Sequence, residues 1–189
     1  MNEIKPTIFV TRQDWRDWLE KNHDSREEIW LQYYKKHSDK ESVTYEDAVE
    51  EALCFGWIDS RVQTVDADSY MQRFSRRKKN SVWSESNKER VVKLIGEGRM
   101  TEAGIAAVRE ARQGGHWDEL VPVDNLEVPS DMQEALAANP KAAANFEAFS
   151  ASQKKLYLFW VQSAKTGPAR KKRIKMTVKR AAMNKKWEG

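Results

Sequence analysis

Hydrophobic and polar positions change their period along the chain: helical and alternating stretches mix in the first 80 residues, and every strong signal beyond them is helical. Thr11 with Asp14 reads as an N-cap followed by an acidic first turn. Trp15, Trp18 and Leu19 then recur at helical spacing, predicting a short helix over 12–21 that closes near Asn22. In 27–36, Ile29, Leu31 and Tyr33 alternate with Trp30, Gln32 and Tyr34, which predicts a strand. Apolar groups on both of its faces place that strand in the middle of its sheet. Thr44 opens a helix with Glu46 and Asp47 in the first turn and Ala48, Ala52 and Phe55 on one face, and Gly56 is suited to follow its C-cap. RVQTV (61–65), the turn-forming DADS (66–69) and the alternation of Tyr70, Gln72 and Phe74 predict a β-hairpin. With 27–36 it makes a small three-stranded sheet, antiparallel or mixed.

Further on, Ser84 or Ser86 starts a helix carrying Val91, Val92, Leu94 and Ile95, ended by Gly96 and Gly98, and Thr101 opens another that runs to Gly114-Gly115. Residues 116–129, with Pro122 and Pro129, read as a linker. Ser130 with Gln133 and Ser150 with Gln153 have the spacing of capping boxes, and Asn139-Pro140 that of a helix start. Gly167-Pro168 reads as a stop, and a last helix buries Ile174, Val178 and Ala181. The fold class is therefore α+β. An α+β domain spans 1–120, and a helical region spans 130–189, with room for both to share one core.

Composition narrows the class. Eight Trp, five Tyr and six Phe in 189 residues supply enough large anchors for a folded core despite 33% charged residues. No apolar run approaches the roughly 20 residues of a membrane-spanning helix. The N-terminal MNEIKPTIFV lacks the basic start and apolar stretch of a signal peptide. The single cysteine, Cys54, forbids an internal disulfide. A soluble cytoplasmic protein is the expectation.

The net charge of +4 hides a segregation into blocks: −7 over 1–69, +6 over 70–93, −4 over 94–164 and +9 over 165–189. Clustered charge concentrates counter-ions far more than scattered charge, so the two basic blocks either attract an anionic partner or neutralise the acidic blocks within the fold. The familiar inventory of reaction chemistry is nearly empty. His23, His37 and His116 fall in separate loops and Cys54 has no cysteine partner, so no metal is expected. GEG at 96–98 lacks the Lys-Ser/Thr of a phosphate loop, no nucleophile elbow occurs, and no cofactor is expected. Cys54, set among Leu53 and Phe55, reads as an inert buried thiol.

Two stretches stand out. The first runs from EALCFGWIDS (51–60) to YMQRFSRRKKNSVWSESNKER (70–90). Guanidinium forks grip phosphate or carboxylate, aromatic faces stack, and hydroxyl and amide groups orient a ligand. Trp57, Asp59, Arg73, Phe74, Arg76, Arg77, Ser81, Trp83, Ser84 and Asn87 are the resulting candidate ligand-binding residues, with Asp59 orienting an arginine. The competing view makes Trp57, Phe74 and Trp83 core anchors and the basic residues a solvated coat. The second stretch is ARKKRIKMTVKRAAMNKK, whose charge density suits phosphates or an anionic surface, or else a solvated helix face.

FGWIDS, Y-x-x-RF-x-x-R, WS-x-x-N-x-x-R and GRM-x-x-AG, followed by NFEAFS, KKLYLFWVQSAK and ARKKRI, resemble the YdeI/OmpD-associated (bacteriocin-protection) family over roughly 9–186. Where that family commonly has Glu-Thr-Arg, this chain reads Thr166-Gly167-Pro168-Ala169-Arg170, with Arg170 and Arg173 retained; both join the candidate residues. The resemblance implies bacteriocin or cationic-peptide tolerance and supplies no catalytic residues. The expected function is binding of an anionic small molecule in stress tolerance. Its rivals are non-specific nucleic-acid binding by 70–93 and 165–189, and an enzyme of unrecognised type.

Overall fold

The computed structural model describes residues 5–187. The chain divides into two compact units, one ending at Asp118 and one beginning at Glu119. The N-terminal unit contains α1 (Arg12–Asn22), β1 (Glu28–Tyr34), α2 (Tyr45–Cys54), β2 (Trp57–Thr64), β3 (Ser69–Arg76), α3 (Glu85–Gly96) and α4 (Glu102–Gln113). Local capping fixes most helix starts. Thr11 and Asp14 form a complete capping box on α1, and the hydroxyls of Thr44 and Thr101 accept from the third-residue amides of α2 and α4. Ser84 does precede α3, but its hydroxyl meets Ser86 Oγ rather than a backbone amide.

The sheet is antiparallel with strand order β1-β3-β2. β1 is therefore not central, as its two apolar faces suggested. Its outer edge is covered by residue 7, where the Thr7 amide donates to Trp30 O and the Gln32 amide to Thr7 O. Apolar residues on both faces reflect that extra cover as much as sheet position. The hairpin forms as expected, with β2 starting earlier at Trp57 and a register shift between Asp59 and Val62. Register places Leu31 opposite Gln72, Tyr33 opposite Tyr70 and Asp59 opposite Phe74. Directly opposed residues share a face, so Tyr33, Asp59 and Gln72 lie on the same side as the buried Leu31, Trp57 and Phe74. That side meets the core built from Trp15, Leu19, Leu53, Phe55, Trp83 and Leu94.

The segment 116–129 is not a bare linker. Trp117 is buried against Trp83, with ring centroids 5.0 Å apart, and belongs to the first core, whereas Val123 sits in α5 (Val121–Asp124) and belongs to the second. The C-terminal unit continues with α6 (Ser130–Ala137), α7 (Pro140–Ala148), α8 (Ala151–Gln162) and α9 (Gly167–Ala182). Met132, Phe146, Tyr157, Val161, Ile174 and Ala181 fill its centre. Asn139 caps α7 with Pro140 in the first turn, as expected. Three local readings are corrected. Pro129 rather than Ser130 precedes α6, and no side chain caps that helix. At α8 only half the box forms, because Gln153 Oε1 accepts from the Trp187 amide at 2.6 Å instead of reaching back to Ser150. Gly167-Pro168 does not stop α8, which ends at Gln162; Pro168 lies in the first turn of α9 behind the Thr166 cap. Among the described residues no helix is long and apolar enough to cross a membrane.

Two glycines set how α2 meets its neighbours. Gly56 turns the chain from α2 into β2 at φ +73°, a conformation that costs L side chains. Gly104 lets α4 rest on the end of α2: a Cβ there would lie 2.3 Å from Cys54 O. Gly104→Ala is expected to destabilise the protein by about 3 kcal/mol, the scale of an overpacked core contact that only backbone movement relieves. Gly96→Ala, where nothing lies within 4 Å, is expected to be neutral or mildly stabilising. Urea midpoints of the two variants measure the contrast.

Candidate functional site

Two polar clusters lie in the N-terminal unit, and α2 belongs to both. On one side of α2, Glu51 is fully buried and accepts from Arg12 Nε at 2.5 Å, Arg16 Nη1 at 2.6 Å and Arg99 Nη2. Glu50, also buried, pairs with Arg12 at 2.9 Å and Lys93 at 2.6 Å. Burial alone would raise the Glu51 carboxyl, but hydrogen bonds from the three guanidinium groups outweigh it and hold the group below the usual carboxylate range. One turn on, Cys54 O accepts from Thr101 Oγ1 at 2.6 Å and from the Thr101 amide at 3.1 Å. The Cys54 thiol is buried and pushed up to about 11, which suits an inert group. This cluster ties α1, α2 and the turn before α4 together and gives both carboxylates partners, while Arg12 Nη2 and Arg99 Nε stay buried without protein partners.

The second cluster forms where β2 returns along α2. From Tyr45 to Cys54 the helix rises about 14 Å, and β2 travels back about 10 Å between Gly56 and Asp59. The reach of a tyrosine closes the remainder: Tyr45 Oη donates to Asp59 Oδ2 at 3.1 Å. Gln72 Nε2, from the neighbouring strand, donates to the same oxygen at 2.7 Å. Burial, and then the Asp59 charge, push the Tyr45 hydroxyl up to about 12. Tyr33, stacked on Tyr70 at 5.1 Å, is held far above the ordinary tyrosine range by burial, with Asp59 and Tyr45 adding to it. Its hydroxyl is buried without a protein partner. Arg77 lies over the Trp83 ring, 3.5 Å from its centroid, and donates from Nη1 to Val82 O at 3.3 Å. Its Nε and Nη2 are buried without protein partners. Burial pulls this guanidinium down to about 10 against the pull of Asp59. Arg90 also lies in the field of Asp59, near the Tyr45 hydroxyl; it donates to Glu46 at 2.7 and 2.8 Å and to Asn87 Oδ1 at 2.9 Å.

Of the sequence candidates, then, Asp59, Arg77, Trp83 and Asn87 belong to this neighbourhood. The others are placed differently. Trp57 and Phe74 are fully buried core residues, and the Trp57 indole donates to His23 O at 3.1 Å. Arg73 pairs with Glu28, and Arg76 donates to the carbonyls of Asp24 and Arg26. Ser81 Oγ accepts from the Lys78 amide at 3.1 Å, closing a turn, and Ser84 meets Ser86. Arg170 and Arg173 lie in the C-terminal unit. Arg170 makes a two-pronged contact with Asp131 at 2.6 and 2.8 Å, and Arg173 donates to Trp160 O at 2.5 Å and Ser163 Oγ at 2.9 Å, closing the end of α8.

Sequence reasoning missed Tyr33, Tyr45, Gln72 and Arg90 as members of the site. The available signal was the polar Gln72 between Tyr70 and Phe74 on an otherwise apolar strand face. Among the described residues no three His, Cys, Asp or Glu side chains gather as a metal set. Residues 7–107 match a family described as a domain of unknown function (DUF8412). Residues 125–184 match the family described as bacteriocin-protection, YdeI or OmpD-associated. The resemblance noted over the whole chain is thus found in its C-terminal part, while FGWIDS and the motifs around it fall within the first match. No curated protein and no solved structure matches the chain.

The Glu51 cluster gives a pH-dependent prediction. A carboxyl held low in the folded state contributes stability that is complete above its unfolded value of about 4.3 and is lost as pH falls through the folded value. Glu51→Gln is expected to cost about 3 kcal/mol at neutral pH, leaving three partly buried guanidinium groups without their shared counter-charge. It should also flatten the loss of stability seen in the parent below about pH 5. Urea unfolding across a pH series measures both effects.

Proposed function

We propose that this chain, which belongs to the family described as a domain of unknown function (DUF8412) and carries a bacteriocin-protection, YdeI or OmpD-associated domain, binds a small organic anion beside Asp59. The ligand is a carboxylate or phosphate that also bears a hydroxyl or amine. Arg77 carries the reading, since two of its N–H-bearing nitrogens are buried, face no protein acceptor and lie in the field of Asp59. Leaving a buried donor unpaired costs about 1–3 kcal/mol, and an anion removes that cost at Arg77 while Tyr33 Oη offers a further donor. Asp59, whose Oδ2 already receives two hydrogen bonds, has its other oxygen to accept from the ligand's hydroxyl or amine. Tyr45, at 41% exposure, stands at the solvent side of the cluster. The biological setting we propose is bacteriocin protection, on the strength of the description attached to the match over 125–184.

Thermal shift and calorimetry against a panel of small carboxylates and phosphates, with and without hydroxyl or amino groups, test this. A ligand at about 100 times its Kd should contribute about 2.7 kcal/mol and raise the midpoint by several degrees. Arg77→Lys should weaken every hit about 10-fold or more, because a single ammonium cannot reproduce two parallel donors. Asp59→Asn should weaken hydroxylated or aminated anions and spare simple ones. A panel with no shift, or hits indifferent to Arg77→Lys, defeats the assignment.

A further inference from the structure

The two basic blocks are used differently. In the first, Arg73, Arg76, Lys79, Lys88, Arg90 and Lys93 each stand at salt-bridge distance from a carboxylate of their own unit. In the second, α9 holds seven basic residues and no acidic one. Its arginines turn to other parts of the unit: Arg170 to Asp131, Arg173 to the end of α8, and Arg180 to Tyr157 Oη and Lys186 O. Lys171, Lys172, Lys175 and Lys179 remain exposed, and no carboxylate among the described residues pairs with them.

These four lysines form a strip. At about 100° per residue they occupy one sector of about 100° on the helix, and from Lys171 to Lys179 they extend over about 12 Å. The buried line of Ile174, Thr177 and Ala181 lies outside that sector. Such an arrangement works against the isolated helix. Lys171 and Lys175, and again Lys175 and Lys179, are like charges four residues apart, and the first two lysines stand near the positive end of the helix dipole. A polyanion laid along the strip reverses the sign of each of these terms.

We propose that the lysine strip of α9 is a contact surface for the phosphate backbone of a double-stranded nucleic acid, held without base recognition. Duplex DNA carries one charge per about 1.7 Å of axis, so 12 Å of helix faces several phosphates. A membrane surface fits less well, because the apolar line of α9 is used in the core and only Met176 and Met183 remain exposed on the helix and its cap. A single strand fits less well too, since the strip holds no aromatic ring on which bases could stack.

Fluorescence anisotropy of a labelled duplex of about 20 base pairs, titrated with the full chain between about 20 and 200 mM KCl, tests the proposal. Binding is expected at low salt, with log K falling against log salt at a slope of about −3 to −4, close to 0.9 for each of four phosphates. Lys175→Gln should reduce the slope by about one, and Lys171→Gln/Lys175→Gln/Lys179→Gln should abolish binding with the helical circular dichroism retained. If the triple variant loses helix, the slope of the single variant decides. Arg77→Lys, in the other unit, should bind the duplex as the parent does. Absence of binding at the lowest salt, a flat slope, a triple variant that binds undiminished, equal loss in Arg77→Lys, or tighter binding to phosphatidylglycerol–phosphatidylcholine vesicles than to the duplex would each overturn it.

Discussion

The N-terminal unit depends on a single buried carboxylate. Glu51 has no contact with water, and its charge is tolerable only because three guanidinium groups from two other segments converge on it. That convergence fixes the position of α2 relative to α1 and to the turn carrying Arg99. The adjoining contact of Cys54 O with Thr101, made possible by the missing side chain at Gly104, then brings α4 against the end of the same helix. With α2 held on two sides, the Gly56 turn determines where β2 runs. The Tyr45–Asp59 contact follows from that course and needs no loop of its own to position it.

The same core face that buries Trp57, Phe74 and Leu31 is interrupted at one place by Asp59, Gln72 and Tyr33. An apolar residue at each position would serve packing better, since buried polar groups require partners. Asp59 finds two. Tyr33 and Arg77 lack protein partners for three polar atoms between them. The structure thus concentrates unsatisfied donors around a well-satisfied acceptor, and it does so beside an aromatic floor formed by Trp83 under Arg77. Arg12 and Arg99 each keep one buried nitrogen without a partner as well, but both are charge-paired with Glu51, whereas Arg77 has no carboxylate at salt-bridge distance among the described residues.

What could be read from the sequence was what local chemistry decides. The caps at Thr11, Thr44, Thr101 and Asn139, the turn at Gly56 and the hairpin around 66–69 all depend on residues a few positions apart. Strand order was not of that kind: β1 lies at an edge because β3 comes between it and β2, and the Thr7 segment covers its outer side. Gly167-Pro168 shows a different ambiguity, as a proline after a helix end and a proline in a first turn are the same residue type at nearly the same spacing. In the candidate site, Asp59 and Arg77 were visible because charged groups beside aromatics attract notice. Tyr33 and Gln72 were read only as members of alternating strands, and their role emerges from cross-strand register. Arg73 and Arg76 looked equivalent to Arg77, yet β3 carries the first to Glu28 and the end of the strand carries the second to the Asp24–Arg26 turn.

Charge segregation along a chain therefore has two distinct physical outcomes, and this protein shows both. Over 1–118 the acidic and basic blocks come together in space, and the field each would project is largely cancelled by its partner at short range. Over α9 the three arginines, whose planar forks suit fixed hydrogen-bond geometry, are turned to the unit itself, while the lysines are left in solvent. That division of labour matters more than the count of charges. An arginine used to close the end of α8 or to join α9 to α6 contributes little to an outward field, whereas four lysines in one sector, with no carboxylate at salt-bridge distance among the described residues, add their fields in the same direction. The formal +4 of the whole chain thus understates the potential above α9 and overstates it above the first basic block.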